Sequence, residues 1–320
     1  MKKLYFLIVL LPLLLMGPAL LAQEDPLFSQ YRNNTFLINP GGIAAEGLHE
    51  FRLNYRRQWQ RFAFSPQTAI ATYNGFVDDK NGLAISVMHD KWGPNVRNGA
   101  QFGYAFQMPV GYPGNNGQNY FSLGLSLKFL QHKIDLSNVF FVNPADNAIP
   151  GDVYQYWSGD LAFGAYFRND NLYAGFSSPN LIQAGNYLPF NSTDGVFDRL
   201  QRYYFLLLGY KFEYTNMKIE PSILVRKLPS TPYQMEGTVR FYFNEESLIA
   251  GISYRTGWMG GLLAGIKYNS VKIIYSADFM PLRTDLNRPF GPSHEITLGI
   301  DLGEKAIDWK RNYYVPENRE

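Results

Sequence analysis

The chain has four histidines, His49, His89, His132 and His294, and they are scattered. No two sit at a spacing that would place both on one metal ion. There is no cysteine, which removes disulfides, thiolate metal ligands and an acylated lipoprotein anchor. Two short runs hold the residue types of a hydrolytic relay, His89-Asp90 and Ser293-His294-Glu295. A relay needs nucleophile, base and orienting carboxylate within hydrogen-bond reach of one another. These runs fall at strand ends, where polar residues are ordinary. No catalytic, cofactor-binding or metal-ligating residue is assigned, and an enzyme is not expected.

The chemistry that recurs is electrostatic. Arg52, Arg56, Lys128, Arg168, Lys211, Glu220, Arg226, Glu236, Arg240, Arg255, Lys267, Asp278 and Glu295 occupy polar positions of runs whose alternate positions are apolar. In a soluble sandwich such a stripe would face water outside. In a membrane barrel it must face the lumen, because a charge turned to lipid costs about 2–4 kcal/mol at the bilayer midplane. Both signs are present, so charge pairs across the lumen are expected. The net charge of +2 is too small to suggest nucleic acid.

The elements that position these charges are strands. Tyr120 to Leu130 places Phe121, Leu123, Leu125, Leu127 and Phe129 on one face and Ser122, Gly124, Ser126 and Lys128 on the other. Similar alternation begins at Phe51 and recurs to Ile300, giving about fourteen strands. Short turns such as Asp78-Asp79-Lys80-Asn81, Asn169-Asp170-Asn171 and Asn244-Glu245-Glu246 alternate in phase with the long connections Gln131 to Gly159, Ser178 to Leu200 and Pro281 to Ser293. Outer-membrane barrels keep short turns on the periplasmic side and long loops outside. One short-side turn, Val110 to Gln118, is longer than that rule prefers.

Composition agrees. Aromatics reach 16%, with 29 glycines and only 18% charged residues. Met1-Lys2-Lys3, the apolar run after it and Ala19-Leu-Leu-Ala22 read as a secretory signal cut after Ala22. No later stretch approaches the roughly 18 apolar residues of a membrane-spanning helix. The expected organisation is a signal peptide over 1–22, an N-terminal segment over 23–47, a barrel over 48–303 and a charged periplasmic tail over 304–320. The segment carries Leu27, Phe28, Tyr31, Phe36 and Leu37, too apolar for a free leader, and is expected at the periplasmic mouth or in the lumen.

Several stretches resemble the PorP/SprF family, outer-membrane proteins of the type IX secretion system of Bacteroidetes. Asp25-Pro-Leu-Phe-Ser-Gln-Tyr31 with Asn39-Pro40 is similar to the family's opening, and Tyr55-Arg-Arg-Gln-Trp59 to its Tyr-Arg-Asn-Gln-Trp. Gly82 to Asp90 with Gly93-Pro94, Tyr173 to Pro179, Pro221-Ser222 and Ser293-His-Glu-Ile also match. The chain departs from the family at Gly41, where alanine is usual, and in the tail after Glu304. The resemblance implies a non-enzymatic barrel that supports secretion or surface attachment of cargo, including adhesins used in gliding motility. It implies, as partners, the C-terminal domain of a secreted cargo or adhesin and other periplasmic components of the machinery, besides outer-membrane lipid. A passive pore is the alternative reading. Aromatic residues on the long loops are the expected cargo contacts: Phe140, Phe141, Tyr154, Tyr156 and Trp157 on the first, Tyr187, Phe190 and Phe197 on the second. The same residues would also suit the interfacial girdle.

Overall fold

Rows of apolar side chains face out and most strand charges face in, the reverse of a soluble core, and this dictates a closed sheet. The computed structural model describes residues 26, 28–110, 119–137, 153–187, 197–228, 231–257, 259–279 and 291–303, without the side chains of 185–187 and 197–199. The stretches 1–22 and 304–320 lie outside the described residues.

Fourteen antiparallel strands form one ring. They are β1 His49–Arg57, β2 Gln67–Phe76, β3 Asn81–Trp92, β4 Asn95–Pro109, β5 Tyr120–Asp135, β6 Val153–Arg168 and β7 Leu172–Ser178. These are followed by β8 Tyr204–Tyr210, β9 Met217–Lys227, β10 Gln234–Phe243, β11 Leu248–Arg255, β12 Met259–Tyr268, β13 Val271–Phe279 and β14 Ser293–Leu302. Each pairs with its neighbours in sequence, and β14 closes the ring on β1 from His49↔Leu302 to Arg57↔His294. Closure leaves no bare sheet edge within the bilayer, which lipid could not satisfy. Lys211 interrupts β8, and Phe212–Glu213 resumes the pairing with β9.

The alternation holds strand by strand. In β1, Phe51, Leu53 and Tyr55 are exposed outward while Arg52, Asn54 and Arg56 are buried. The outward row of β5 is Leu123, Leu125, Leu127 and Phe129. Apart from the connection between β4 and β5, where 111–118 lie outside the described residues, turns at the end that carries the start of β1 are short and chemically specified. Asp78 Oδ1 accepts the backbone N–H groups of Lys80 and Asn81, and Asn169 Oδ1 those of Asn171 and Leu172. Asn244, Glu245 and Glu246 all take positive φ between β10 and β11.

The connection between β5 and β6 differs from the sequence expectation. Gln131 to Asp135 and Val153 to Gly159 are not loop: they continue the two strands, paired as far as Asp135↔Val153. Gln131-His-Lys-Ile-Asp135 is polar on both faces because it stands beyond the apolar band, so the periodicity that marks a membrane strand fades there. Three of the expected loop aromatics, Tyr154, Tyr156 and Trp157, therefore sit on β6. A small ribbon, Gly185–Tyr187 with Phe197–Arg199, stands between β7 and β8.

Candidate functional site

Among the described residues, the lumen is where charge, aromatic rings and a non-barrel segment meet. Residues 28–48 form three single 3₁₀ turns, Tyr31–Asn33, Thr35–Leu37 and Pro40–Gly42, lying against the inward side chains of the wall. Phe28, Tyr31, Phe36, Ile43 and Ala44 are all buried there.

The segment is anchored at three levels. Farthest from the start of β1, Arg56 bridges Asp278 at 2.6 Å and Glu295 at 3.0 Å. Ser29 joins them: its N–H donates to Glu295 at 2.8 Å and its hydroxyl to Asp278 at 2.7 Å. Arg255 pairs with Glu236 at 2.6 Å and reaches Ser29 Oγ at 3.3 Å. Gln30 adds amide bonds to Ser276 Oγ at 3.0 Å and the Glu295 carbonyl at 3.1 Å. At the middle level, Arg32 of the segment pairs with Glu220 of β9 at 2.9 Å and with Glu46 at 2.7 Å. Tyr173 and Tyr242 hydroxyls donate to the same Glu220 at 2.7 and 3.0 Å. The Arg32 guanidinium holds the Glu46 carboxyl well below the usual carboxylate range. Near the mouth, Arg52 pairs with Glu50 and Asp301 and donates to the Asn33 carbonyl at 2.9 Å. Asn74 accepts the Ala44 N–H at 2.6 Å, and Gln107 donates to the Ile43 carbonyl at 3.0 Å.

Asn39-Pro40-Gly41 is held against glycines. Asn39 caps its own turn by accepting the Gly41 N–H at 2.8 Å, and its amide donates to the carbonyls of Ala165 at 3.1 Å and Phe176 at 3.3 Å. The close approach depends on bare backbone in the wall. A Cβ at Gly164 would stand 2.0 Å from Asn39 Oδ1, and one at Gly124 2.2 Å from the Pro40 carbonyl oxygen. An alanine at 41 would meet the Gly164 backbone at 3.0 Å, so the wall would have to give slightly.

Two apolar clusters complete the packing. Phe36, Ile43 and Ala44 meet Ala84 and Ala105, while Tyr31 and Ala45 meet Tyr166, Tyr173, Tyr203, Phe205, Leu207 and Leu224. A cavity of about 90 Å³ remains beside the segment, bounded by Phe28, Phe36, Ile70, Leu130, Tyr203 and Phe205 among others.

Of the thirteen charges singled out in the sequence, twelve stand on inward positions of their strands, and Lys211 lies at the break in β8. Arg168 stacks its guanidinium over Tyr120 at 4.4 Å and Arg226 over Tyr203 at 4.6 Å. Arg240 is completely buried. The list of lumen charges left out Glu50, Asp90, Arg97, Asp160 and Asp301, which are also buried inward, and Arg32 and Glu46 of the segment. Asp90 and Asp301 stand on the polar face of their alternating runs, and continuing the two-residue period outward along the strands reaches Glu50, Arg97 and Asp160.

The expected loop aromatics scatter. Tyr156 is buried and stacks on His132 with ring centroids 4.5 Å apart, whereas Trp157 points away and is 66% exposed. Tyr154 packs 5.9 Å from Tyr156. Tyr187 and Phe197 are on the small ribbon, their side chains not described, and Phe140, Phe141 and Phe190 lie outside the described residues. The hydrolase-like runs do not assemble. His89 bonds Asn98 on the outer face while Asp90 turns inward to Arg97, and His294 contacts Tyr275 outside while Glu295 is inside. Neighbours in a strand face opposite ways, so neither pair can relay a proton. Among the described residues no group of acidic or imidazole side chains could hold a metal ion.

The family described as "Type IX secretion system membrane protein PorP/SprF" matches residues 20–300. No curated protein matches. Among solved structures, a Pseudomonas aeruginosa FadL homologue is similar at 12% identity over 82% of this chain and 91% of its own, with a TM-score of 0.44. The P. putida toluene transporter TodX is similar at 10% identity over 85% and 94%, with a TM-score of 0.43.

Proposed function

The chain belongs to the PorP/SprF family of type IX secretion system membrane proteins, and on that footing we propose that it holds an exported cargo protein at the cell surface, or hands it on. It is a β-barrel of the outer membrane. In this reading the short turns and both chain ends are periplasmic, and the long connections stand outside and receive the cargo. The tail after Glu304 faces other components of the secretion machinery.

One observation carries the reading: the lumen is taken up by the chain's own N-terminal segment, tied at three levels to the wall. A passive, always-open pore would keep such a path clear. A barrel that presents a rigid end to a partner gains by filling it. The exposed aromatic surface at the long-connection end supplies the recognition material, with Trp157 at its most open point.

The experiment replaces Tyr154, Tyr156 and Trp157 with serine and measures surface protein by impermeant biotinylation of whole cells. The expected result is normal barrel level in the membrane and loss of those surface proteins that deletion of the gene also removes. Normal surface protein in the triple variant would overturn the loop assignment. Normal surface protein after gene deletion would overturn the cargo reading itself. The cavity beside the segment favours a passive pore as the second reading. A pore gives steady conductance in planar bilayers with the segment in place.

A further inference from the structure

The outward face of six neighbouring strands is almost bare of charge. On β13, β14 and β1 to β4 the outward positions hold apolar residues, glycine, imidazole or uncharged polar groups, except at Arg57 and Lys91. Both exceptions are cations, and they share one register line, Arg57↔Gln67↔Lys91, at the strand ends away from the start of β1. Among the described residues, no carboxylate stands on the outward face of those six strands.

Position along the strand fixes their depth. Phe51, Leu53 and Tyr55 precede Arg57 on the outward row of β1, and Leu83, Ile85, Val87 and His89 precede Lys91 on β3. A strand needs about 9–11 residues to cross the hydrocarbon, and Arg57 is the ninth and last of β1. A cation turned toward lipid is tolerated there because the hydrocarbon ends there. Both side chains are exposed, so the medium they meet is the headgroup layer.

The local bonds make this row a site. Two strand spacings, about 10 Å, separate the backbones at Arg57 and Lys91, which lets both long side chains reach one headgroup. Ser65 Oγ accepts the Arg57 Nε–H at 3.1 Å and orients the guanidinium fork. The Tyr55 hydroxyl donates to Gln67 Oε1 at 3.1 Å, leaving the Gln67 amide nitrogen as a donor between the two cations. The connection from β1 to β2 adds exposed Arg61 and the edge-to-face pair Phe62 and Phe64, which are 41% and 65% exposed. The Phe64 carbonyl accepts the Gly93 N–H at 3.3 Å, tying that connection to the turn after Lys91. Cations beside exposed aromatic rings are the material of a membrane interface. Farther along the register Lys133 of β5 is paired with Asp135 at 2.9 Å, so the uncompensated charge is concentrated on β1 to β3.

We propose that Arg57, Gln67 and Lys91 bind the phosphate of a glycolipid headgroup in the outer leaflet, with Arg61, Phe62 and Phe64 beside it. A guanidinium fork, an ammonium and an amide donor with no carboxylate among them suit a multiply charged oxyanion. An outward face at headgroup depth meets lipid by its position, and phosphorylated glycolipid builds the outer leaflet of an outer membrane. The inference goes beyond the cargo reading and takes from it only the orientation, in which this end of the strands is external.

The test uses the full chain, purified in detergent micelles. The probes are bisphosphorylated lipid A, the same lipid stripped of phosphate, and phosphatidylglycerol, with bound lipid counted by native mass spectrometry. Arg57→Gln with Lys91→Gln removes both charges, and Arg57→Lys with Lys91→Arg keeps them. Lys227→Gln, an outward cation on β9 across the ring, is the control. Heat-modifiable gel mobility verifies that each variant is folded. Lipid A should bind, and removing its phosphates or introducing the glutamine pair should weaken binding about tenfold or more. The charge-keeping pair and Lys227→Gln should stay within about threefold of wild type. Unchanged binding in the glutamine pair overturns the proposal, as does equal binding of the dephosphorylated lipid or an equal loss in Lys227→Gln. Phosphatidylglycerol bound as tightly as lipid A would make the row a general anionic-lipid surface and overturn the glycolipid assignment. Binding in detergent is independent of cargo, so the proposal stands or falls whatever gene deletion does to the surface proteins. Cysteine labelling that reversed the orientation would put the row at the inner leaflet and overturn it.

Discussion

Gly124→Ala tests the seating of the N-terminal segment with a single methyl group. Gly124 faces inward in the middle of β5, and a Cβ there would lie 2.2 Å from the Pro40 carbonyl oxygen and 2.5 Å from the Gly41 nitrogen. Ordinary contact begins at 3.4 Å, so the Asn39-Pro40-Gly41 turn would have to retreat by 3.4 − 2.2 = 1.2 Å. The obstruction is backbone on both sides, with no flexible side-chain end to swing away. Overpacking of this kind costs about 1–3 kcal/mol. With the lumen empty, the same change would act in the opposite direction. Alanine in place of a strand glycine with ordinary φ stabilises by about 0.4–1 kcal/mol. The two cases differ in sign, which makes the substitution decisive. Gly237→Ala, where nothing stands within 4 Å of the added methyl, is the matched control. Urea unfolding of the purified barrel should show a lower midpoint for Gly124→Ala and an equal or higher one for Gly237→Ala. Conductance in planar bilayers should rise in Gly124→Ala, since 1–3 kcal/mol shifts the seated fraction by about 5- to 150-fold. Wild-type conductance together with unchanged or raised stability in Gly124→Ala would refute the packing described here.

Deleting residues 24–42 should raise conductance sharply, and unchanged conductance with unchanged stability would remove the idea of a filled lumen. Orientation is tested by cysteine at Asn186, expected to react with an impermeant reagent on whole cells, and at Asp170, expected not to; labelling at both would break the strand phasing. Glu46, whose carboxyl Arg32 holds well below the usual range, contributes stability that is complete above the ordinary glutamate pKa of about 4.3 and is lost only as pH falls through its lowered value. Glu46→Gln removes that contribution and should raise conductance already at neutral pH; wild-type conductance in the variant would contradict the Arg32–Glu46 anchor.

Much of the wall was legible because a two-residue period is a local signal. Phe121 to Phe129 against Ser122 to Lys128 needs no partner to be read, and the same pattern located the lumen charges. The anchoring of the segment carries no such signal. Ser29 and Glu295 are 266 positions apart, and nothing in either neighbourhood names the other. One indirect sign was available. Tyr204-Phe-Leu-Leu-Leu-Gly-Tyr210 is apolar on both faces, and a strand with one face to lipid puts Phe205 and Leu207 into the lumen. Greasy lumen residues require a cover, which Tyr31 and Ala45 help to supply. The extension of β5 and β6 was missed because the alternation lapses above the lipid: Gln131 to Asp135 is mostly polar and Val153 to Trp157 carries large side chains on both faces.

The long-range bonds of Ser29 bear on how the molecule comes into being. Its partners Asp278 and Glu295 belong to β13 and β14, the last strands made, and β14 is the strand that closes on β1. The first described residues of the chain and the last strands thus meet at the seam. Loop-closure entropy must be overcome before such distant contacts contribute, so they form late and slowly. Arg56 of β1 already holds Ser29 on one side of the seam while offering its guanidinium to Asp278 and Glu295 on the other. The segment therefore lies across the seam, and sealing the ring and seating the segment draw on the same side chains.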